Sequence, residues 1–152
     1  MISFDDYDFT VVDRFLRYAR MDTQSDPGSV TIPSTMKQKE LGALITDELQ
    51  QLGLQDAHLD AYGYVYATLE GNISGAPVIC FCAHMDTSPD CSGAGVNPVL
   101  HHNYQGEDLI LPDNPAEILR LTDQPGLRLQ MGNDIITAGG NTLLGADNKA
   151  GL

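Results

Sequence analysis

The chain has 152 residues, with 8 Lys and Arg against 21 Asp and Glu, a formal net charge of −13, and 42% hydrophobic residues. One domain of this length buries roughly 68–70% of its unfolded surface, so a folded core is expected rather than a disordered tail. The acidity counts against a nucleic-acid partner, whose phosphates it repels, and against docking on an anionic membrane.

The longest strongly apolar run, residues 76–83, falls far short of the ~20 residues that span a bilayer. The first residues, Met1-Ile2-Ser3-Phe4-Asp5-Asp6, are acidic where a secretion signal is basic and then apolar. Three cysteines, Cys80, Cys82 and Cys91, are too few for a disulfide framework. A reducing, cytoplasmic location is therefore expected. Cys80-x-Cys82 has no second cysteine pair, which disfavours a structural zinc knot; two small apolar side chains on one face of a buried strand is the reading favoured.

In chain order, Phe9, Val12, Phe15, Leu16 and Ala19 recur at helical spacing, predicting an amphipathic helix over residues 6–20. Ser25-Asp26-Pro27-Gly28-Ser29 has loop chemistry. A second helix is expected from Pro33 onward, with Thr35-x-x-Gln38 as a capping box, an apolar stripe of Leu41, Leu44, Ile45, Leu49 and Leu52, and Gly53 at its C′ position. The period then changes to two. Residues 58–60 and 64–69 read as strands joined by a turn at Tyr62-Gly63. Residues 78–83 are apolar on both faces and predict a central strand covered on both sides. Further short strands are expected at residues 99–102, 109–111 and 135–137, with a helical turn at 116–121. Residues 138–141 should turn the chain toward a final helix start, capped by Asp147 or Asn148. An end one turn into a helix suggests a fragment cut at Leu152.

His84 follows the apolar strand directly, with Asp86 two residues on. Ligands in open α/β sheets sit beyond the carboxyl ends of central strands. A neutral imidazole suits zinc, and a nearby carboxylate holds its tautomer. The plainer alternative is a hydrogen-bonded loop histidine. Asp147 is the second candidate: a carboxylate there would suit a bridge between two metal ions, with small Gly145 and Ala146 beside it, while an ordinary N-cap is the plainer role. His101 and His102 are adjacent, so on a strand they face opposite sides. His58 lies in an exposed-looking strand, and nothing positions Glu107-Asp108. No nucleophilic triad or phosphate loop is visible.

The block His84-Met85-Asp86-Thr87-Ser88-Pro89-Asp90-Cys91-Ser92-Gly93, then Val96-Asn97-Pro98 and Asn103-Tyr104-x-Gly106-x-Asp108, resembles the peptidase T branch of the dinuclear zinc peptidases, family M20, the tripeptide aminopeptidases. Asp22-Thr23-Gln24-Ser25, Val30-x-Ile32-Pro33-Ser34-Thr35 and the segment from Thr142 through Gly151 agree with it.

The resemblance implies that His84 is a ligand of one zinc, that Asp86 is the active-site carboxylate orienting His84, and that Asp147 bridges two zincs. It implies metal-assisted hydrolysis of a short peptide with a free N-terminus. Two cations ~3.5–4 Å apart activate a water, a glutamate moves its proton, and the metals stabilise the oxyanion. The family pattern usually has a second Asp where this chain has Asn148. The resemblance also implies that the general-base Glu, the remaining ligands and the lid domain lie beyond Leu152; none of Glu40, Glu48, Glu70, Glu107 and Glu117 forms a Glu-Glu pair. Residues 1–152 are thus expected to be the first portion of an α/β three-layer sandwich with a mixed sheet. Alone it should be inactive, with weak or no zinc binding. Uncovered edges would invite self-association into a homo-oligomer. Two alternatives stand beside this: a non-catalytic module that binds a peptide or partner, and a related enzyme acting on acylated amino acids.

Overall fold

The computed structural model describes residues 8–152; the first seven residues of the chain, and with them the start of the helix expected from residue 6, lie outside them. The architecture is mixed α/β, with helices and small antiparallel ladders.

Helix α1 spans Val11–Ala19 and buries Phe15, Tyr18 and Ala19, an i, i+3, i+4 set. Phe9 and Val12, expected on that face, are exposed. Helix α2 spans Gln38–Gln51. It starts later than the sequence suggests, and no capping box forms. Lys37 holds the N-cap position without a side-chain capping bond. The Thr35 hydroxyl instead donates to the Gln24 carbonyl at 2.8 Å and accepts from the Gln38 amide at 3.1 Å. The far end follows expectation. Gly53 has φ +97°, its N–H donates to the Gln50 carbonyl, and Leu54 N–H donates to the Leu49 carbonyl. That is a Schellman closure, which a side chain at 53 would strain. Leu52 is exposed, outside the stripe.

Tyr18, Leu41 and Ile45 form the core between the helices, with Met21, Leu44, Leu49, Val65, Met85 and Leu152 packed against it. A polar clasp closes the same interface. Glu48, 9% exposed, accepts from the Arg14 and Arg17 guanidinium groups and from the Tyr18 hydroxyl.

Strands β1 (His58–Leu59) and β2 (Val65–Tyr66) form the expected hairpin, with His58 opposite Tyr66 and Leu59 opposite Val65. His58 is exposed and stacks on Tyr66 at 5.4 Å. Strand β3 (Val99–His101) pairs antiparallel with β6 (Ile135–Thr137), and β4 (Leu109–Ile110) with β5 (Ile118–Leu119). The helical turn expected at 116–121 is therefore a strand. Two residues carry no readable period, and the ladder to β4 decides their conformation. A 3-10 helix, Pro125–Gln130, precedes β6. Asp108, expected to lack a partner, faces Arg120 at 3.5 Å.

Residues 78–83 correct the sequence reading most. They form no strand, and Val78 and Phe81 are 96% and 92% exposed. Cys80 and Cys82 are exposed too, their sulfurs 3.5 Å apart. Apolar composition does not make a strand without a ladder partner, and none of the described strands pairs with this segment. The single mixed sheet is accordingly replaced by three two-stranded antiparallel ladders. One parallel bridge, Gln24 to Thr87, adds to them. Among the described residues no helix is long and apolar enough to cross a membrane.

Candidate metal centre

His84 lies where the apolar segment ends, and the bridge between Gln24 and Thr87 pins the residues that follow it. Thr87 N–H donates to the Thr23 carbonyl at 3.1 Å, and Ser25 N–H donates to the Thr87 carbonyl at 2.9 Å. Gln24 adds two side-chain bonds, to the Pro89 and Cys91 carbonyls. The loop is thus held by residues some 60 positions earlier, a connection without any local sequence signal.

The short helix α3, Ala146–Lys149, carries the other half. Gly145, at φ +74°, precedes it; Asp147 and Asn148 depart from helical dihedrals, so the turn is kinked, and no side chain caps it. A Cβ at Gly145 would lie 2.9 Å from the Thr87 methyl group. The glycine therefore serves close packing of the two loops as well as its left-handed conformation. The Asp147–Asn148 peptide bond is cis. With no capping bond to make, the Asp147 carboxylate projects outward, 96% exposed.

The structure brings the three named residues together. His84 Nε2 lies 3.1 Å from Asp147 Oδ1, across 63 residues of sequence. On the other side of the ring, Nδ1 lies 2.9 Å from the Asp86 carbonyl oxygen and 3.2 Å from Asp86 Oδ1. All three oxygens are acceptors, so each ring nitrogen faces groups to which an N–H donates: Nδ1 faces Asp86 and Nε2 faces Asp147. Desolvation lowers the His84 pKa, but the Asp147 hydrogen bond, the Asp86 carbonyl and the two carboxylate charges outweigh it and raise the pKa overall. These side chains, with Ser88, Leu143, Gly145 and Ala146, line an open cleft of about 390 Å³. No Glu lines it.

The remaining histidines lie elsewhere. His101 contacts the Thr137 hydroxyl at 3.1 Å, and His102 contacts the Asp134 carboxylate at 2.9 Å. The latter pair is exposed and was not signalled in the sequence. Ser88 bonds Asp90 rather than a base.

The donor set fits part of a zinc site. Ligand N and O atoms on one tetrahedral zinc lie roughly 3.3–3.6 Å apart, given metal–ligand distances of about 2.0–2.2 Å. The His84–Asp147 hydrogen bond, at 3.1 Å, holds the two donors slightly closer than that edge, and the Asp86 contacts supply the carboxylate support such histidines require. A catalytic zinc usually takes three protein ligands. Among the described residues no group of three or more His, Cys, Asp or Glu is placed to hold a metal ion. The pair therefore accounts for part of a ligand set.

No family model matches the chain. Curated proteins do. The chain is 48% identical over 143 residues to proteins named Peptidase T from Halothermothrix orenii and Geobacillus kaustophilus. It is 47% identical over the same length to that of Clostridium acetobutylicum. Each match covers 93% of this chain and 35% of the relative. Over those 143 residues the chain is homologous to peptidase T, and it spans about 35% of the length of the relatives it matches.

Proposed function

We propose that this chain is the first part of a zinc-dependent aminopeptidase that releases the N-terminal residue of tripeptides. The observation that carries it is the meeting of His84 Nε2 and Asp147 Oδ1 at 3.1 Å, with Asp86 behind the ring. The similarity to Peptidase T proteins supports a peptidase rather than another metal enzyme. On this reading the protein belongs to the dinuclear M20 hydrolases. It works in the cytoplasm on short peptides, and its catalytic domain is a three-layer sandwich of which these residues are one portion.

In that enzyme His84 and Asp147 would be the residues of this chain that hold the zinc ions, His84 through its imidazole and Asp147 as the shared carboxylate. Asp86, holding Nδ1–H, would leave Nε2 as the nitrogen available to a zinc ion once the metal replaces its contact with Asp147. Asp147 would contribute negative charge toward the bound cations. When bound, the zinc pair supplies an activated water and charge stabilisation at the scissile carbonyl. The cleft beside His84, lined also by Leu143, Gly145 and Ala146, would receive the peptide bond. The base that takes the water's proton is not among the cleft-lining residues. We therefore expect the 152-residue chain alone to lack turnover.

The incomplete ligand set favours one second reading, a module that binds a peptide or partner without cutting it. An assay of the complete gene product separates the two. A tripeptide and its matching dipeptide are offered with and without chelator. Chelator-sensitive release of the tripeptide's first residue, with little from the dipeptide, is expected. Binding of the tripeptide without cleavage, in zinc-supplemented buffer, would establish the module instead. Zinc-dependent turnover by the purified 152-residue chain would overturn the expected inactivity.

A further inference from the structure

Lys149 is 2% exposed, although it belongs to a four-residue helix next to an open cleft. Burying an ammonium is costly unless it is hydrogen-bonded and faces an opposite charge. Its Nζ donates to the Met21 carbonyl oxygen at 2.7 Å, across 128 residues. The Asp22 carboxylate provides the nearby negative charge. Met21 opens the segment 21–25, whose backbone and side chains hold the loop after His84: Thr23 and Ser25 bond Thr87, and Gln24 bonds Pro89 and Cys91. One five-residue segment therefore grips both loops that meet at the His84–Asp147 contact. Lys149 is its attachment to the Asp147 side.

We propose that Lys149 is a positioning residue: its buried ammonium ties the Asp147 turn to segment 21–25 and so fixes the separation between His84 and Asp147. This rests on the metal-centre reading for its consequence in catalysis, but not for its geometry. A lysine retained only to fill space would be replaced by methionine without effect on the distant loop. A lysine that fastens the segment would not, because Lys149→Met keeps the apolar stem and removes the donor.

The test has a metal-free arm and a catalytic arm. In the 152-residue chain, amide hydrogen exchange is followed at Thr87 and Ser25, the donors nearest His84 in the bridge. Lys149→Met should lower protection at both by about tenfold or more, and Lys149→Arg should restore most of it. Lys39→Met, which removes an exposed ammonium bonded to Ala61, should leave both unchanged. If Lys149→Met does not fold, Gln24→Ala tests the link from the other end, and protection at the Ala150 amide should fall. Unchanged exchange at Thr87 in Lys149→Met, or at Ala150 in Gln24→Ala, overturns the proposal. In the complete gene product, Lys149→Met should lower kcat roughly 10–100-fold with KM little changed, with rescue by Lys149→Arg. Loss confined to KM would contradict a role in setting the ligand separation. If exchange responds while the complete product neither binds zinc nor hydrolyses tripeptide, the clasp stands and the metal reading fails.

Discussion

Asp22 shows how single contacts around the cleft set a measurable property. Partial desolvation pushes its pKa up, but the Lys37 ammonium at 2.8 Å and the Gln24 N–H outweigh this and carry it below the ordinary 3.8. A carboxylate with a depressed folded pKa contributes stability that is fully present above its unfolded pKa. That contribution is lost as pH falls through the folded value. Stability of the 152-residue chain should therefore decline below about pH 4. Lys37→Met should shrink that acid-sensitive part and cost up to about 1 kcal/mol near neutrality, the pair being one-third exposed. Urea unfolding from pH 2 to 6 checks this; an unchanged pH profile in the variant would show that Asp22 owes nothing to Lys37. Such contacts were not legible beforehand. Asp22 and Lys37 belong to different segments, and only folding places them together. His84 and Asp86 were legible as candidates because their pairing is local, two residues apart.

At the level of elements, the α1–α2 unit rests on Glu48 as much as on Leu41 and Ile45. Three donors, from Arg14, Arg17 and Tyr18, converge on one carboxylate that is nearly buried. Burial, then the hydrogen bond to Glu48, raises the Tyr18 pKa despite the opposing Arg14 charge. Glu48→Ala removes the shared acceptor and leaves those donors facing an apolar gap. The expected loss is about 2–3 kcal/mol, below the full buried-pair range because Arg17 is half exposed. Thermal unfolding measures it, and a change under 0.5 kcal/mol would contradict the clasp. Sequence periodicity identified both helices, the hairpin and the glycine closing α2, since each is written within a few residues. It gave the wrong N-terminus for α2, where the Thr35 hydroxyl is drawn to Gln24 by tertiary contact. It also missed β5, whose two residues are strand only because β4 lies beside them.

Across the whole molecule, what escaped the sequence is what depends on distant pairing. Residues 78–83 have the composition of a doubly covered strand, yet nothing in the described residues covers them. The segment 21–25 joins both sides of the cleft over 60 to 128 residues; Asp22-Thr23-Gln24-Ser25 was legible as part of the family resemblance, but its partners across the cleft were not. By contrast, His84 and Asp147 were legible from residue type and from the blocks around them. The structure adds their separation and the orientation of the ring. It also shows no side-chain capping bond from Asp147. The most direct test of a shared metal grip is the zinc content of the purified complete gene product after exhaustive dialysis. Compared are the native protein, His84→Ala, Asp147→Ala, and His102→Ala as a remote control. The account predicts about two zinc ions per native chain and per control, and a clear loss in both cleft variants. Native zinc content in His84→Ala and Asp147→Ala alike would contradict it.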